Sequence, residues 1–185
     1  MLKRITLTFV LINILFVNLA TASDGLFYVQ PSLLLQSITA DTGNYRGISP
    51  KFAAGYGTVL GQGFYLAGEL GISGGTLEIT KNTFVAKSGV DSNRTVDFAI
   101  IPGVMISQNS LVFARTGVTN SKFNELNDNS TGYELGIGLQ MALLNSWLIR
   151  GEYYYSGYDN AGNDTYKTSS LTADNFVFGV VYSFR

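Results

Sequence analysis

Residues 133–155 read Tyr-Glu-Leu-Gly-Ile-Gly-Leu-Gln-Met-Ala-Leu-Leu-Asn-Ser-Trp-Leu-Ile-Arg-Gly-Glu-Tyr-Tyr-Tyr, and the spacing within them decides the fold. Tyr133, Leu135, Ile137, Leu139 and Met141 alternate with Glu134, Gly136, Gly138 and Gln140. A short polar break at Leu144-Asn145-Ser146 follows. Then Trp147, Ile149, Gly151, Tyr153 and Tyr155 alternate with Leu148, Arg150, Glu152 and Tyr154. Successive side chains of a strand point to opposite faces, so a period of two means strand, and two such runs around a short polar turn mean an antiparallel pair.

The same period runs through the chain on both sides. In the first segment Phe27, Val29, Pro31, Leu33 and Leu35 alternate with Tyr28, Gln30, Ser32, Leu34 and Gln36. A second, residues 51–59, puts Phe52, Ala54 and Tyr56 on its apolar face. The third has Phe64, Leu66, Gly68, Leu70 and Ile72 on one face; the fourth has Val96, Phe98, Ile100, Pro102 and Val104. The fifth, residues 111–119, is apolar on both faces except for Arg115. The last alternates Phe176, Phe178, Val180, Tyr182 and Phe184 with Asn175, Val177, Gly179, Val181 and Ser183. With residues 133–141 and 147–155 as sixth and seventh, the segments number eight. Short links at Gly61-Gln62-Gly63, Ser107-Gln108-Asn109-Ser110 and Leu144-Asn145-Ser146 alternate with long ones at residues 39–50, 74–94, 120–130 and 157–171. The long links are rich in Gly, Asn, Asp, Ser and Thr, as solvated loops are, and the longest is expected to run on as a hairpin with residues 76–80 as one arm. Short turns at one end and long loops at the other are the pattern of a barrel spanning an outer membrane. Both termini then fall at the short-turn, periplasmic end.

A soluble eight-stranded barrel of the lipocalin kind alternates too, with its apolar face inside. Charge separates the two. Lys51, Glu69, Asp97, Arg115, Glu134, Arg150 and Glu152 fall within the segments, and all take the face opposite the large apolar side chains. Arg115 is set inward with Phe113 because a charge facing lipid costs about 2–4 kcal/mol near the midplane. An exterior in water would carry far more charge. Aromatics near the segment ends, Phe27, Phe64, Trp147, Tyr182 and Phe184 at one rim and Tyr133, Tyr155 and Phe176 toward the other, suit interfacial girdles. The expected fold is all-β: an eight-stranded antiparallel up-and-down transmembrane β-barrel with a polar interior and a lipid-facing apolar exterior.

Composition narrows the chemistry. The 185 residues include no Cys and no His, with 12 basic against 13 acidic side chains. No Cys excludes disulfides and thiolate chemistry, and no His removes the commonest general base and metal ligand. The balanced charge argues against a nucleic-acid partner. Lys3 and Arg4, an interrupted apolar stretch and Ala20-Thr21-Ala22 make a signal peptide over residues 1–22, cleaved after Ala22 to leave a barrel domain over residues 23–185.

The residues resemble the small eight-stranded outer-membrane barrels of the OmpA/OmpX and opacity types, over nearly all of residues 23–185. The most specific piece is Gly138-Leu139-Gln140-Met141-Ala142 followed by Arg150-Gly151-Glu152-Tyr153. The resemblance implies that Arg150 pairs inside the lumen with Glu69, and that Arg115 is an inward arginine of the fifth strand. Two family positions differ: the inward sixth-strand Glu is Gln140 here, and the inward fourth-strand Lys is Ile101. The expected lumen network is Glu69, Asp97, Arg115, Glu134, Gln140, Arg150 and Glu152. The family's C-terminal signal for the barrel-assembly machinery matches Phe178, Val180, Tyr182 and Phe184, although Arg185 follows.

The outer-membrane barrels that are lipases, lipid A deacylases, acyltransferases or proteases place a His in the catalytic constellation, so no enzyme is expected here, and no cofactor. Residues 159–164 carry oxygen ligands but lack the Gly and closing Glu of a calcium loop, and read as a solvated turn. The lumen charges are either a packed plug or an ion path. Among the long links, Tyr45, Phe84, Phe123, Tyr158 and Tyr166 are candidates for surface contact, since Tyr and Phe amid small polar residues make adaptable binding surfaces. The expectation is an integral outer-membrane protein of a Gram-negative bacterium with a structural or surface-contact, adhesin-like role. Its partners would be membrane lipid and lipopolysaccharide, the assembly machinery and host surface molecules. The alternative is a narrow porin-like channel for ions or small solutes.

Overall fold

The computed structural model describes residues 25–40, 43–74, 77–80, 92–123, 129–158, 162–163, 166–167 and 171–184. The expected leader lies outside them. The strands are β1 (Leu26–Ala40), β2 (Gly43–Leu60), β3 (Phe64–Gly74), β4 (Leu77–Thr80), β5 (Ser92–Ser107), β6 (Ser110–Phe123), β7 (Asn129–Ala142), β8 (Trp147–Tyr158), β9 (Gly162–Asn163), β10 (Tyr166–Lys167) and β11 (Leu171–Ser183).

Eight of these form a ring in chain order, β1-β2-β3-β5-β6-β7-β8-β11, each antiparallel to its neighbours. The ring closes where β11 pairs with β1, from Tyr28 opposite Ser183 to Thr39 opposite Thr172. Phe184 N–H donates to the Phe27 carbonyl at 2.8 Å and extends that seam to the end of the strand. Closure leaves no sheet edge, which a lipid-embedded backbone requires because hydrocarbon offers its N–H and C=O groups nothing to bond.

Parity sorts the side chains as the alternation requires. Leu33, Leu70, Leu135, Ile137 and Phe178 are all more than half exposed and form part of a continuous apolar outer belt. Water-soluble monomers rarely present so extensive an apolar surface. The charged residues of the eight segments point the other way and are buried, which removes the soluble-barrel alternative. Aromatic pairs flank the belt: Phe27 with Tyr56 and Trp147 with Tyr182 at the short-turn end, and Tyr153 with Phe176 toward the other. Inward glycines make room for large lumen side chains. A Cβ on Gly138 would enter the Phe113 ring, and one on Gly71 would enter the Asp97 carboxylate.

The strands run further than their hydrophobic alternation. The first long link shrinks from residues 39–50 to a connection between Ala40 and Gly43, because β1 and β2 stay paired to their ends. β6 likewise reaches Phe123 and β7 begins at Asn129. Beyond the membrane both faces of a strand meet water, so the apolar period ends while the backbone ladder continues. β4 shows the same extension: Leu77 and Glu78 pair with Ile48 and Gly47 of β2, carrying on past the pairing of β2 with β3.

Ile137, outward at 65% exposure, tests the solvent of the belt. Ile137→Lys is expected to lower the unfolding free energy by about 2–4 kcal/mol in lipid vesicles, measured by urea titration. A soluble barrel would tolerate the same change.

Candidate functional site

The polar side chains of the lumen converge at mid-height, and Arg115 is their centre. β6 brings it in opposite Gly136 of β7, where a Cβ would run into Tyr154 of β8. Its Nε donates to Glu134 Oε2 at 3.0 Å, its Nη1 to Glu69 Oε1 at 2.7 Å and Glu152 Oε2 at 3.3 Å, and its Nη2 to Asp97 Oδ1 at 2.8 Å. One guanidinium therefore holds carboxylates from β3, β5, β7 and β8. Its planar fork of five N–H donors makes this possible; an ammonium has only three donors on a point charge.

Arg150 forms a second centre, nearer the short turns. Its Nε donates to Gln140 Oε1 at 2.8 Å, and its Nη1 to Gln30 Oε1 at 2.8 Å and Glu69 Oε2 at 2.7 Å. Glu69 thus joins the two arginines, and Tyr28 donates its hydroxyl to the same carboxylate at 2.8 Å. The Arg150 guanidinium lies between the rings of Tyr28 and Phe113, about 5 Å from each centroid. Lys51 is ion-paired with Asp97, donates to the Tyr154 hydroxyl at 3.2 Å and sits over that ring. Gln30 Nε2 donates to Glu152 Oε1 at 3.1 Å.

All seven network residues expected from sequence, Glu69, Asp97, Arg115, Glu134, Gln140, Arg150 and Glu152, are therefore brought into one connected, buried cluster. Four others take part that were not expected as members: Tyr28, Gln30, Lys51 and Tyr154. Parity was the available signal, since each sits at an inward position of its segment. Three cations face four carboxylates, all within a few per cent of full burial.

The lumen is filled on either side of this layer. Toward the short turns, Tyr28, Tyr65, Ala67, Ala99, Ile101, Leu111, Phe113 and Val181 pack as an apolar cluster. Ile101, standing where the family resemblance placed a lysine, is fully buried there. Beyond it opens a cavity of about 500 Å³, lined in part by Tyr65, Leu111, Leu148 and Val181, with Arg150 among its walls. Toward the long links, Leu34, Tyr154 and Val177 pack together. Above them Gln36, Asn175 and Ser156 form a hydrogen-bonded chain.

The loop candidates fare differently from one another. Tyr158, expected in a loop, is the last residue of β8, only 6% exposed, and its hydroxyl accepts a hydrogen bond from Ser121 at 3.1 Å. Its even parity in β8 turns it inward with Tyr154 and Ser156, so it is no surface residue. Tyr45 lies within β2 opposite Ile38, Phe123 ends β6, and Tyr166 pairs with Asn163 in the short β9–β10 hairpin. Phe84 lies outside the described residues. Phe178, Val180, Tyr182 and Phe184 form the outward row of β11 and its end, beside the closing seam with β1. Among the described residues no group of His, Cys, Asp or Glu is arranged to hold a metal ion.

Arg115→Met is expected to lower the unfolding free energy by at least about 3–5 kcal/mol, because it strands several desolvated carboxylates. Arg115→Lys should recover only part of the loss. Denaturant titration of the refolded chain reads both, and an unchanged midpoint for Arg115→Met would remove Arg115 from the centre of the network.

Known proteins share this architecture. Residues 7–184 match the model of a family described as outer membrane protein beta-barrel domain. Neisserial surface protein A is 17% identical over 88% of this chain and 100% of its own, with a TM-score of 0.55. Ail, the attachment invasion locus protein of Yersinia pestis, is 14% identical over 88% and 100%, with a TM-score of 0.54. A major outer membrane protein from Thermus thermophilus is 14% identical over 85% and 99%, with a TM-score of 0.51. No curated protein matches the chain significantly.

Proposed function

The chain belongs to the outer membrane protein beta-barrel family, and from that membership we propose a non-enzymatic, non-conducting barrel that carries surface-contact hairpins on the cell exterior. The observation that carries this reading is the clamp of Arg115 on Glu69, Asp97, Glu134 and Glu152. An ion crossing the lumen would have to break those contacts in a low-dielectric interior, where each is strong and each stranded charge is costly. Apolar packing on both sides of the layer supports the same conclusion. The polar interior is then what holds the wall from within, and partners are met elsewhere.

The long-link end is where they are met. β1 with β2, β4 on β2, and β6 with β7 prolong the barrel sheet at that end, and β9 with β10 forms a separate two-stranded hairpin. In this reading the leader is removed after Ala22, the termini stay in the periplasm, and the outward row ending in Phe184 guides assembly. Lipopolysaccharide surrounds the belt, and host surface molecules are the partners of the hairpins, through Tyr45, Phe84, Phe123 and Tyr166.

Two measurements test the two halves. The refolded chain in a planar bilayer is expected to show no discrete conductance steps, with folding established by the mobility difference between unboiled and boiled samples. Steps whose size changes with Glu69→Gln would make the lumen a path for ions. Shortening all four long links is expected to abolish binding to host cells while the mobility difference persists. Unchanged binding would end the surface-contact reading.

A further inference from the structure

On the outer wall, Arg94 of β5 and Lys122 of β6 stand directly opposite each other in the ladder. Both are exposed. Their neighbours Thr95 and Ser121 face inward and share a hydrogen bond at 2.8 Å, so Arg94 and Lys122 share the outer face. Directly opposed side chains have Cβ atoms about 5 Å apart, and like charges at that spacing repel. Neither residue has an ion pair or side-chain hydrogen bond among the described residues. Among the described residues the repulsion has no internal answer.

Their height on the wall supplies one. Toward the membrane from Arg94 come the outward Val96 and Phe98, and from Lys122 the outward Asn120 and Val118. Asn120 Nδ2 donates to Thr131 Oγ1 of β7 at 3.2 Å, a polar rung between the belt and the two cations. Arg94 and Lys122 thus sit one rung above the apolar belt, at the level of lipid headgroups. A phosphate there can take charge-assisted hydrogen bonds from both side chains at once.

We propose that Arg94 and Lys122 clamp a phosphate of an outer-leaflet phosphorylated glycolipid, whose acyl chains run down over Val96, Phe98 and Val118. Asn120 and Thr131 lie where its sugar hydroxyls would bond. The assignment rests on the reading that the long-link end faces the cell exterior. Arg46 of β2 gives the contrast: it is also outward and exposed, but stands in one row with Ser37 of β1 and Asp174 of β11, so an opposite charge lies two strands away.

The test uses the full chain refolded in neutral detergent micelles, with binding followed by native mass spectrometry. The probes are lipopolysaccharide carrying its lipid phosphates, the same material dephosphorylated, phosphatidylglycerol and inorganic phosphate. The phosphorylated glycolipid is expected to bind about tenfold more tightly for each cation engaged. R94Q/K122Q should erase its advantage over the dephosphorylated form, while R46Q leaves it within about twofold. Retention of the preference by the double variant would overturn the clamp, as would an equal loss in R46Q. Equal binding of phosphatidylglycerol or inorganic phosphate would overturn the glycolipid as its occupant. In parallel, Phe84→Cys and Gln108→Cys are treated on intact cells with a membrane-impermeant maleimide. Labelling at Phe84→Cys alone is expected. Labelling at Gln108→Cys alone would overturn the orientation and the outer-leaflet assignment, whatever the micelles show. Labelling at Phe84→Cys without a phosphate preference would overturn the clamp and leave the orientation standing.

Discussion

A backbone immersed in hydrocarbon must satisfy every N–H and C=O within the protein. Closure of β11 on β1 follows directly, since an open sheet would leave two rows of unpaired groups. The outward side chains are then committed to lipid, and the belt of Leu33, Leu70, Leu135, Ile137 and Phe178 meets that demand. Eight strands, the smallest usual ring, leave an interior only wide enough for side chains. What fills that interior is therefore decided by packing and polarity together.

Polar filling creates its own constraint. Seven ionised groups in a space shut off from water are tolerable only if each finds partners of opposite charge. Arg115 and Arg150 meet this with planar, multi-donor heads, and Glu69 ties them together by giving one oxygen to each. Aromatic rings complete the solvation: Tyr28 and Phe113 beside Arg150, Tyr154 beside Lys51 and Arg115. Inward glycines at 71, 136 and 138 are the complement of these large side chains. The loss of side chain on one strand is matched by the gain on its neighbour, which is how a narrow barrel holds arginines, tyrosines and a phenylalanine at similar heights.

The outer wall obeys a different balance. Charges there stay exposed and lie above the belt, where water and headgroups replace hydrocarbon. Asp174 accepts a hydrogen bond from the Tyr153 hydroxyl at 2.6 Å, and Asn120 bonds Thr131, so polar groups at this height pair along the wall where they can. Arg94 and Lys122 cannot pair with each other. Among the described residues, every lumen charge has an opposite charge in contact, whereas Arg94 and Lys122 on this rim have none.

Much of this was legible before any coordinates. The number of spanning strands, their order and the face of each side chain follow from a period of two, because parity is a local property of an extended chain. Even Arg115, in a segment apolar on both faces, could be set inward from the cost of a charge in lipid. The strand ends were less legible. Tyr158 and residues 39–50 sit in polar surroundings where alternation vanishes although the ladder persists, so they read as loop. Partner identity was not legible at all from spacing. The family resemblance implied Glu69 with Arg150, but the sharing of Glu69 with Arg115, and the entry of Lys51, Tyr28, Gln30 and Tyr154, depend on strand register around the ring. Sequence by itself determined which side chains face inward. The closed barrel decided which of them meet, because the stagger between strands is set by the whole ring and by no single segment.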